Sequence, residues 1–562
     1  MSLNIRNVAL SIFLSIFCMF FLSFIGFIFH LSINILYPIF SFIAGLILLL
    51  KLTQKQDHFK KNLIISISLW IFVIIFSLIF GLKFIDSSWD GRAYHQTSII
   101  LLGNGWNPIY DNLEDFASKF YNTTHLLHLM WVENYPKFVE IVQANIYTIF
   151  KNAEITKMTN ILMMFVLCGY TYYVLSKKYF KNINNYLKIL LSMAIIANPV
   201  YIAQFMTFYI DSYVYMLFML ILFSIIDIET SYKQNSISYI ILTFSSICLV
   251  NVKLGGFLYL LVTFLVYFIY LFIYKKYNLL RKLSLSFVII AIFTVLSGIN
   301  PYFTNIKHDR HPFYPLAGKN KIDIMTPNTP KQFVDKPYIV SYIISTFACT
   351  DNFINSIDKK IYIKVPFKIY KKEIYALGDS DTRIAGFGVL WSGILLMSLI
   401  IALFIRYRNQ YDKRLFLLIF TILFLLLLIN PYSWWARYAP HLWVIPVFIC
   451  LATLKTNTSN IKNIISSLIL VIMLANTSIQ LKRVYSTEKH FRKFIEFEMN
   501  ALKISNKKFE IFSISDYSFV EHLKQNSINF TFVDENYFNE YKNEFRRIPT
   551  NIDTMYWRLR DN

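Results

Sequence analysis

Charge is scarce in this chain, and negative charge scarcest. Asp and Glu number 33 against 55 Lys and Arg in 562 residues, and the four types together make 16% of the sequence, where a soluble globular domain carries about 25%. That shortage excludes an ordinary water-soluble fold, which could not cover so much apolar surface. Cysteine is nearly absent too, at five. Cys18, Cys168, Cys248 and Cys450 fall inside apolar runs and Cys349 alone in an aqueous stretch, so neither a disulfide framework nor a zinc-type spacing is available. Low-complexity sequence is missing, as is the internal repeat that marks many transporters. The basic excess gives a net charge of +22. No basic-aromatic module accompanies it, so nucleic acid is not the implied partner; cytoplasmic loops and anionic membrane lipids are.

What the chain has instead is apolar length. Hydrophobic residues make 56% of it and the mean hydropathy is +0.47, which implies an α-helical polytopic membrane protein. Runs of the roughly 17–25 residues that cross a bilayer fall at 8–29, 31–50, 62–84, 158–175, 187–205, 207–226, 237–252, 254–274, 282–299, 384–405, 414–430, 438–454 and 461–480, about thirteen in all. Ala9 to Phe29 follows Arg6 as a signal peptide would. It is longer than an h-region and lacks a small-residue cleavage site, so it reads as a retained span.

Short loops carry the orientation. Lys51, Lys55, Lys60 and Lys61 separate the second and third spans, and Lys177, Lys178 and Lys188 follow the fourth. Lys275, Lys276, Arg281 and Lys282 follow the eighth, Arg406, Arg408, Lys413 and Arg414 the tenth, and Lys455 and Lys462 the twelfth. Thirteen spans with the N-terminus inside put every cluster on the cytoplasmic side of the inner membrane and the C-terminus outside. Three units result: a hairpin and basic loop at 1–61, a membrane module at 62–485 with outer loops 85–157 and 300–383, and a small outer-face α/β domain at 486–562. In the last, Lys508 to Ile514 and Asn529 to Val533 read as strands around a Ser518 to Lys524 helix. Tyr135 to Phe150 reads as an amphipathic helix lying along the interface. The loop at 300–383 is punctuated by Pro301, Pro312, Pro315, Pro327, Pro330 and Pro337, and its aromatics argue for order.

The polar residues that interrupt this background gather on one side. Asp86, Asp90, Arg92, Tyr94 and His95 emerge directly after the third span, in Phe84-Ile85-Asp86-Ser87-Ser88-Trp89-Asp90-Gly91-Arg92-Ala93-Tyr94-His95. Asp211 opens the sixth span, and Lys253 stands at the outer end of the seventh, before Gly255-Gly256. His308, Asp309, Arg310 and His311 belong to the second outer loop. Asp381 and Arg383 lead into the tenth span, and Arg437 and His441 open the twelfth. Snorkelling side chains would be scattered over both faces, so a shared outer site is the better account. Blander readings exist: a snorkelling Lys253, an aromatic-belt Arg437, Asp86 as a cap, Glu140 on a solvated helix face, and loop-bonding histidines with no third metal ligand at useful spacing. Asp90, wedged between Trp89 and Gly91-Arg92, is the hardest to explain that way.

Cations near the membrane plane suit the phosphate of a lipid-linked substrate, and arginine offers it a bidentate fork. A carboxylate facing them can take the proton of an alcohol and make it a nucleophile. The pair reads as group transfer from a lipid phosphate to an alcohol.

Trp89-Asp90-Gly91-Arg92-Ala93-Tyr94-His95 is similar to the first-outer-loop aspartate motif of bacterial membrane glycosyltransferases of the GT-C superfamily, where Asp is followed by Tyr-His. Tyr135-Pro136-Lys137, Phe208-Tyr209-Ile210-Asp211, Asn251-Val252-Lys253-Leu254-Gly255 and Asn300-Pro301-Tyr302-Phe303-Thr304-Asn305 look like later motifs of that group. So do Pro312-Phe313-Tyr314-Pro315-Leu316, Asp381-Thr382-Arg383-Ile384-Ala385-Gly386-Phe387-Gly388 and Trp435-Ala436-Arg437-Tyr438. The resemblance covers 85–445 in order. It implies a GT-C-like enzyme that moves a hexose or pentose from a polyprenyl-phosphate donor to an envelope glycan, lipid or protein at the outer face, with inversion. Asp90 takes the place of the catalytic aspartate, as general base or orienter of the acceptor hydroxyl, with Asp86 and Asp211 as the other candidate acids. Lys253 and Arg437 would hold the donor phosphate, and Arg92, Tyr94, His95, His308, Asp309 and Arg383 are further substrate-binding candidates. A divalent cation, Mg or Mn, would fall to Asp86 and Asp90. Their spacing, wider than Asp-x-Asp, argues against it, and the extra hairpin ahead of the catalytic span is a second departure. The rivals are a polymerase or ligase of whole lipid-linked glycans and a lipid-linked sugar flippase. Transport needs a polar path at mid-bilayer, and the nearly charge-free span interiors favour the enzyme.

Cysteines introduced at position 330 and near position 530 are expected to react with an impermeant maleimide on intact cells, and one at 410 is not; labelling at 410 overturns the assignment of sides.

Overall fold

The computed structural model describes residues 2–121, 128–231, 236–353, 358, 360–407, 409–456, 460–505, 508–513, 517–547 and 555–559. Among these, eight helices are long and apolar enough to cross a membrane: Ser2–Ile28, Leu36–Gln54, Phe59–Lys83, Glu154–Leu175, Asp211–Thr230, Leu254–Ile273, Tyr277–Ser297 and Asn460–Lys503. The remaining predicted runs are helical but shorter or interrupted. Asn185–Ile196 gives way to Pro199–Gln204 because Asn198 caps a new start and Pro199 cannot continue the old one. Ser236–Val250, Trp391–Ala402 and Val444–Thr456 fall below spanning length, and Gln410–Ile429 carries its charges in its first turn. Arg408 and Ile514 lie outside the described residues.

Asp211–Thr230 is the axis of the body. It is apolar on all sides and buried along its whole length, as such a helix must be. Leu36–Gln54 and Phe59–Lys83, by contrast, turn most of their apolar side chains outward, the pattern of a lipid-facing layer. The first helix is not peripheral. It packs between these two and Met158–Leu175, with Asn4 donating to Asn62 and Asn145 to Ser23.

Two expectations fail. The stretch expected along the interface is an inner helix, Phe138–Phe150, buried from Phe138 to Thr148; Gln143 bonds to Thr159, Asn145 to Ser23, Glu140 to His95, and Thr148 to the carbonyl of Asn145. The boundary expected at 486 falls inside one helix of 46 residues, Asn460–Ser505. No Gly or Pro interrupts it, so it runs on from the membrane-length stretch into the C-terminal unit. That unit holds the expected strand-helix-strand and more. Strands β1 (Phe509–Ser513) and β2 (Phe530–Phe532) pair in parallel around Tyr517–Gln525, and β3 (Arg546–Arg547) and β4 (Met555–Leu559) complete a sheet of order β2-β1-β4-β3.

The segment after Lys83 is fastened at both sides. Asp86, wholly buried, accepts from the N–H of Ser88 at 2.8 Å and of Phe208 at 3.1 Å, which ties this segment to the link before the central helix. Burial pushes its carboxyl up to about 6 against the pull of Lys157. From Gly91 the backbone opens into a wide turn in which the N–H of Gln96 donates five residues back, to the Gly91 carbonyl. Such a turn brings residues five apart, Asp90 and His95, toward one face. Behind it stands the long C-terminal helix: Ser87 donates to Glu488 at 2.6 Å, and the Arg92 guanidinium lies 4.9 Å over the Phe491 ring.

Gly91 has no room for a side chain, since a Cβ would meet the Asp86 carboxylate at 1.9 Å, whereas one on Gly255 meets nothing. Gly91→Ala is therefore expected to cost about 1–3 kcal/mol in thermal unfolding of the purified protein, and Gly255→Ala to be near neutral; equal behaviour refutes this packing.

Candidate active site

Each charged wall residue arrives on a differently built element. Asp211 sits in the first turn of the central helix, where the helix dipole favours a carboxylate. Lys253 is an extended residue between two helices. A Cβ on Gly256 would lie 2.1 Å from the Leu249 carbonyl oxygen, so only glycine lets the two helices close so tightly around it. Asp381-Thr382-Arg383 runs beside Ala436-Arg437: the N–H of Ala436 donates to the Arg383 carbonyl at 3.2 Å and that of Arg437 to the Thr382 carbonyl at 3.1 Å. Two stretches far apart in sequence are thereby locked side by side.

They enclose a cavity of about 350 Å³ lined by Asp90, Tyr94, His95, Asp211, Lys253, Asp381, Arg383 and Arg437, with Trp89, Trp131, Tyr135, Tyr209, Trp435 and Tyr438 as aromatic walls. Arg437 is its centre. One guanidinium nitrogen donates to Asp90 Oδ2 at 3.1 Å, and Nε stands 3.3 Å from Asp381 Oδ1. The rings of Tyr209, Trp435 and Tyr438 each lie 5.1 Å from its Cζ. Asp381 also accepts from Arg383 Nε at 3.0 Å and from the Trp435 indole at 2.8 Å, and Arg383 donates onward to Asn328 at 2.7 Å. Across the cavity Lys253 donates to Asp211 at 2.7 Å, and His95 Nδ1 stands 2.6 Å from Glu140 Oε1. Burial pushes the nearby Asp379 carboxyl up to about 7, with Asp381 adding to it. For Lys253, burial is the largest single influence and acts downward, but the Asp211 carboxylate and Tyr438 together raise the ammonium above its ordinary value. Three carboxylates, Asp90, Asp211 and Asp381, thus face three cations, Lys253, Arg383 and Arg437, as buried charges require.

A second cavity of about 430 Å³ adjoins the first, sharing Tyr135, Asp211, Lys253, Ile324, Arg437 and Tyr438. It continues past Val214, Tyr259, Leu316 and Met325 to the start of Leu254–Ile273, whose Phe257 and Leu261 face outward. Lys321, Asp323 and Thr326 also line this second cavity, and Lys253 and Arg437 stand at the junction of the two.

Seven of the expected residues, Asp90, Asp211, Tyr94, His95, Lys253, Arg383 and Arg437, line the first cavity. Four do not. Asp86 is occupied with Ser88 and Phe208, and Arg92 turns the other way, onto Phe491. His308 and Asp309 are exposed on a loop outside both cavities, where the adjacent Arg310 pairs with Glu133 at 2.8 Å. The cation beside Asp90 is Arg437, 347 positions away, and not Arg92, two away. Among the described residues no group of three His, Cys, Asp or Glu side chains is arranged to hold a metal. The two acids considered for one do not converge, since Asp86 is tied to backbone N–H groups and Asp90 to Arg437. Glu140, expected on a solvated face, is buried against His95. Nothing near it in sequence marks the partner, 45 residues away.

No protein-family model, no curated protein and no solved structure matches this chain. The chemistry has to be read from the cavity.

If Arg437 holds Asp90 as described, a double-mutant cycle of Arg437→Gln and Asp90→Asn on thermal unfolding is expected to show coupling of about 0.5–3 kcal/mol. Arg437→Ala alone, which leaves Asp90 without its cation and Asp381 with Arg383 and Trp435 only, is expected to cost about 3–5 kcal/mol. Additive losses in the cycle reject the pair.

Proposed function

We propose that the chain is an integral-membrane glycosyltransferase of GT-C type that moves a sugar from a polyprenyl-phosphate donor to an acceptor hydroxyl at the outer face of the inner membrane, across about thirteen spans. The observation that carries this reading is the position of Lys253 and Arg437 at the junction of the aromatic-walled cavity and a second one that runs to the start of Leu254–Ile273, whose Phe257 and Leu261 face outward. A lipid-linked sugar has matching parts: an isoprenoid chain for those outward apolar side chains, a phosphate for the cations, and a sugar ring whose C–H faces suit flat aromatic walls. The motif resemblance in Asp90 to His95 and in the later segments points the same way.

In this mechanism the donor phosphate competes with Asp90 and Asp211 for Arg437 and Lys253. The acceptor oxygen attacks the anomeric carbon as the bond from that carbon to the phosphate oxygen breaks. The electron pair leaves on the polyprenyl phosphate, whose charge the two cations stabilise, and the anomeric centre inverts. Asp90, released from Arg437, orients the acceptor hydroxyl or takes its proton, and Asp211 positions sugar or acceptor. The flippase reading meets an obstacle at the opposite end of the helices. There Lys177 pairs with Asp227 and Lys276 with Glu229, closing the body with ion pairs instead of continuing a polar path.

Purified protein in detergent, given polyprenyl-phosphate sugars and an envelope extract as acceptor, is expected to release polyprenyl phosphate, which a flippase would not. Asp90→Asn is expected to reduce that release about 10²–10⁴-fold if Asp90 takes the proton, and less if it only orients the hydroxyl. No release from any donor refutes the transferase reading.

A further inference from the structure

The proton of the acceptor hydroxyl needs a destination, and the cavity offers a second one. His95 lines the wall beside Asp90 and Asp211. Its Nδ1 is 2.6 Å from Glu140, a carboxylate buried to 3% exposure whose other oxygen has no hydrogen-bond partner. Among the described residues no lysine or arginine donates a hydrogen bond to Glu140. The nearest in sequence, Lys137, spends its ammonium on the carbonyls of Glu133 and Tyr135, both at 2.8 Å, and on Asn300 at 2.6 Å. The helix bearing Glu140 is fixed at its first residue, where the Phe138 N–H donates to the Asn251 carbonyl at 2.8 Å. An ionised carboxylate can only accept, so it places the imidazole hydrogen on Nδ1 and leaves Nε2 as the basic nitrogen. Asp90, by contrast, has its carboxylate engaged by Arg437.

Resting on the transferase reading, we propose that His95, oriented by Glu140, accepts the proton of the acceptor hydroxyl, while Asp90 orients that hydroxyl. As the acceptor oxygen bonds to the anomeric carbon, its proton passes to His95 Nε2, and the phosphate leaves with the electrons of the broken bond. The imidazolium formed is held by the Glu140 carboxylate and returns its proton to water after the polyprenyl phosphate departs. Glu140 is a positioning residue; it does not reach the cavity wall. The other ionisable groups facing the pair are Asp90 and Tyr94 on its own turn, Lys137 ahead of the Glu140 helix, and Asp211 and Tyr213 on the central helix.

The test is the pH dependence of kcat/KM for polyprenyl phosphate release by the full-length protein in detergent. The wild type is expected to lose activity on acidification, as protonation of the imidazole removes the proton acceptor. Glu140→Gln, which removes the charge that favours imidazolium, is expected to move that limb to lower pH with KM for the donor little changed. His95→Asn is expected to reduce kcat about 10²–10⁴-fold with an unaltered thermal transition. An acid limb that Glu140→Gln leaves unmoved, or full turnover by His95→Asn, overturns the proposal. If no donor is used at all, the transferase reading fails, and the dyad is judged by carbethoxylation of His95 mapped by peptide mass spectrometry. Modification whose pH midpoint falls in Glu140→Gln supports a basic Nε2 open to the cavity, and a His95 inert at every pH overturns it.

Discussion

A single guanidinium, that of Arg437, holds this end of the helical body together. It joins Asp90, just after the third helix, to Asp381, ahead of Trp391–Ala402, and lies within reach of three aromatic rings. Asp90 would be costly where it sits without that cation, and the cation costly without its acids, while Asp381 has Arg383 besides. The paired backbone of Asp381-Thr382-Arg383 and Ala436-Arg437 fixes where the guanidinium can be. The turn from Gly91 to His95 fixes where Asp90 can meet it. Asp86, though not on the cavity wall, belongs to the same construction because it fastens that turn to Phe208.

The scarcity of charge in the composition is what makes the cavity conspicuous. Three acids and three bases stand together in a body whose central helix is otherwise apolar until its far end. Balanced pairs of this kind are stable at rest and open to exchange: a phosphate that takes the cations releases the carboxylates. His95 stands apart from that exchange, since among the described residues no lysine or arginine donates to its partner Glu140. Two acid-base systems therefore coexist in one cavity, one tied to arginine and lysine and one to imidazole, which is the separation that a proton transfer beside a leaving phosphate calls for.

Much of the frame was legible. Apolar runs locate helices because length and hydropathy are local properties, and each of the predicted stretches is helical at least in part. Asp90, Asp211, Lys253, Arg383 and Arg437 stand out in the sequence as polar residues at the ends of apolar runs, and the fold gathers them around one cavity. Nearness in sequence is a poorer guide. Asp86 and Arg92 lie within a few residues of Asp90, but a turn that aims Asp90 and His95 into the cavity aims Arg92 at Phe491. His308 and Asp309 look like a site in sequence and stand exposed on a loop. Glu140 carried no local mark, because only the packing of Phe138–Phe150 against the turn gives it a partner.

By itself, then, the order of residues determined the helical membrane architecture, the small strand-helix-strand unit near the C-terminus, and the set of polar residues from which a site could be drawn. Those follow from periodicity, length and composition, which act over a helix or less. Tertiary structure alone decided which of them meet: Asp90 with Arg437, Asp211 with Lys253, His95 with Glu140. A charge pair depends on distance in space, and in this fold the decisive contacts span 347, 42 and 45 positions of chain.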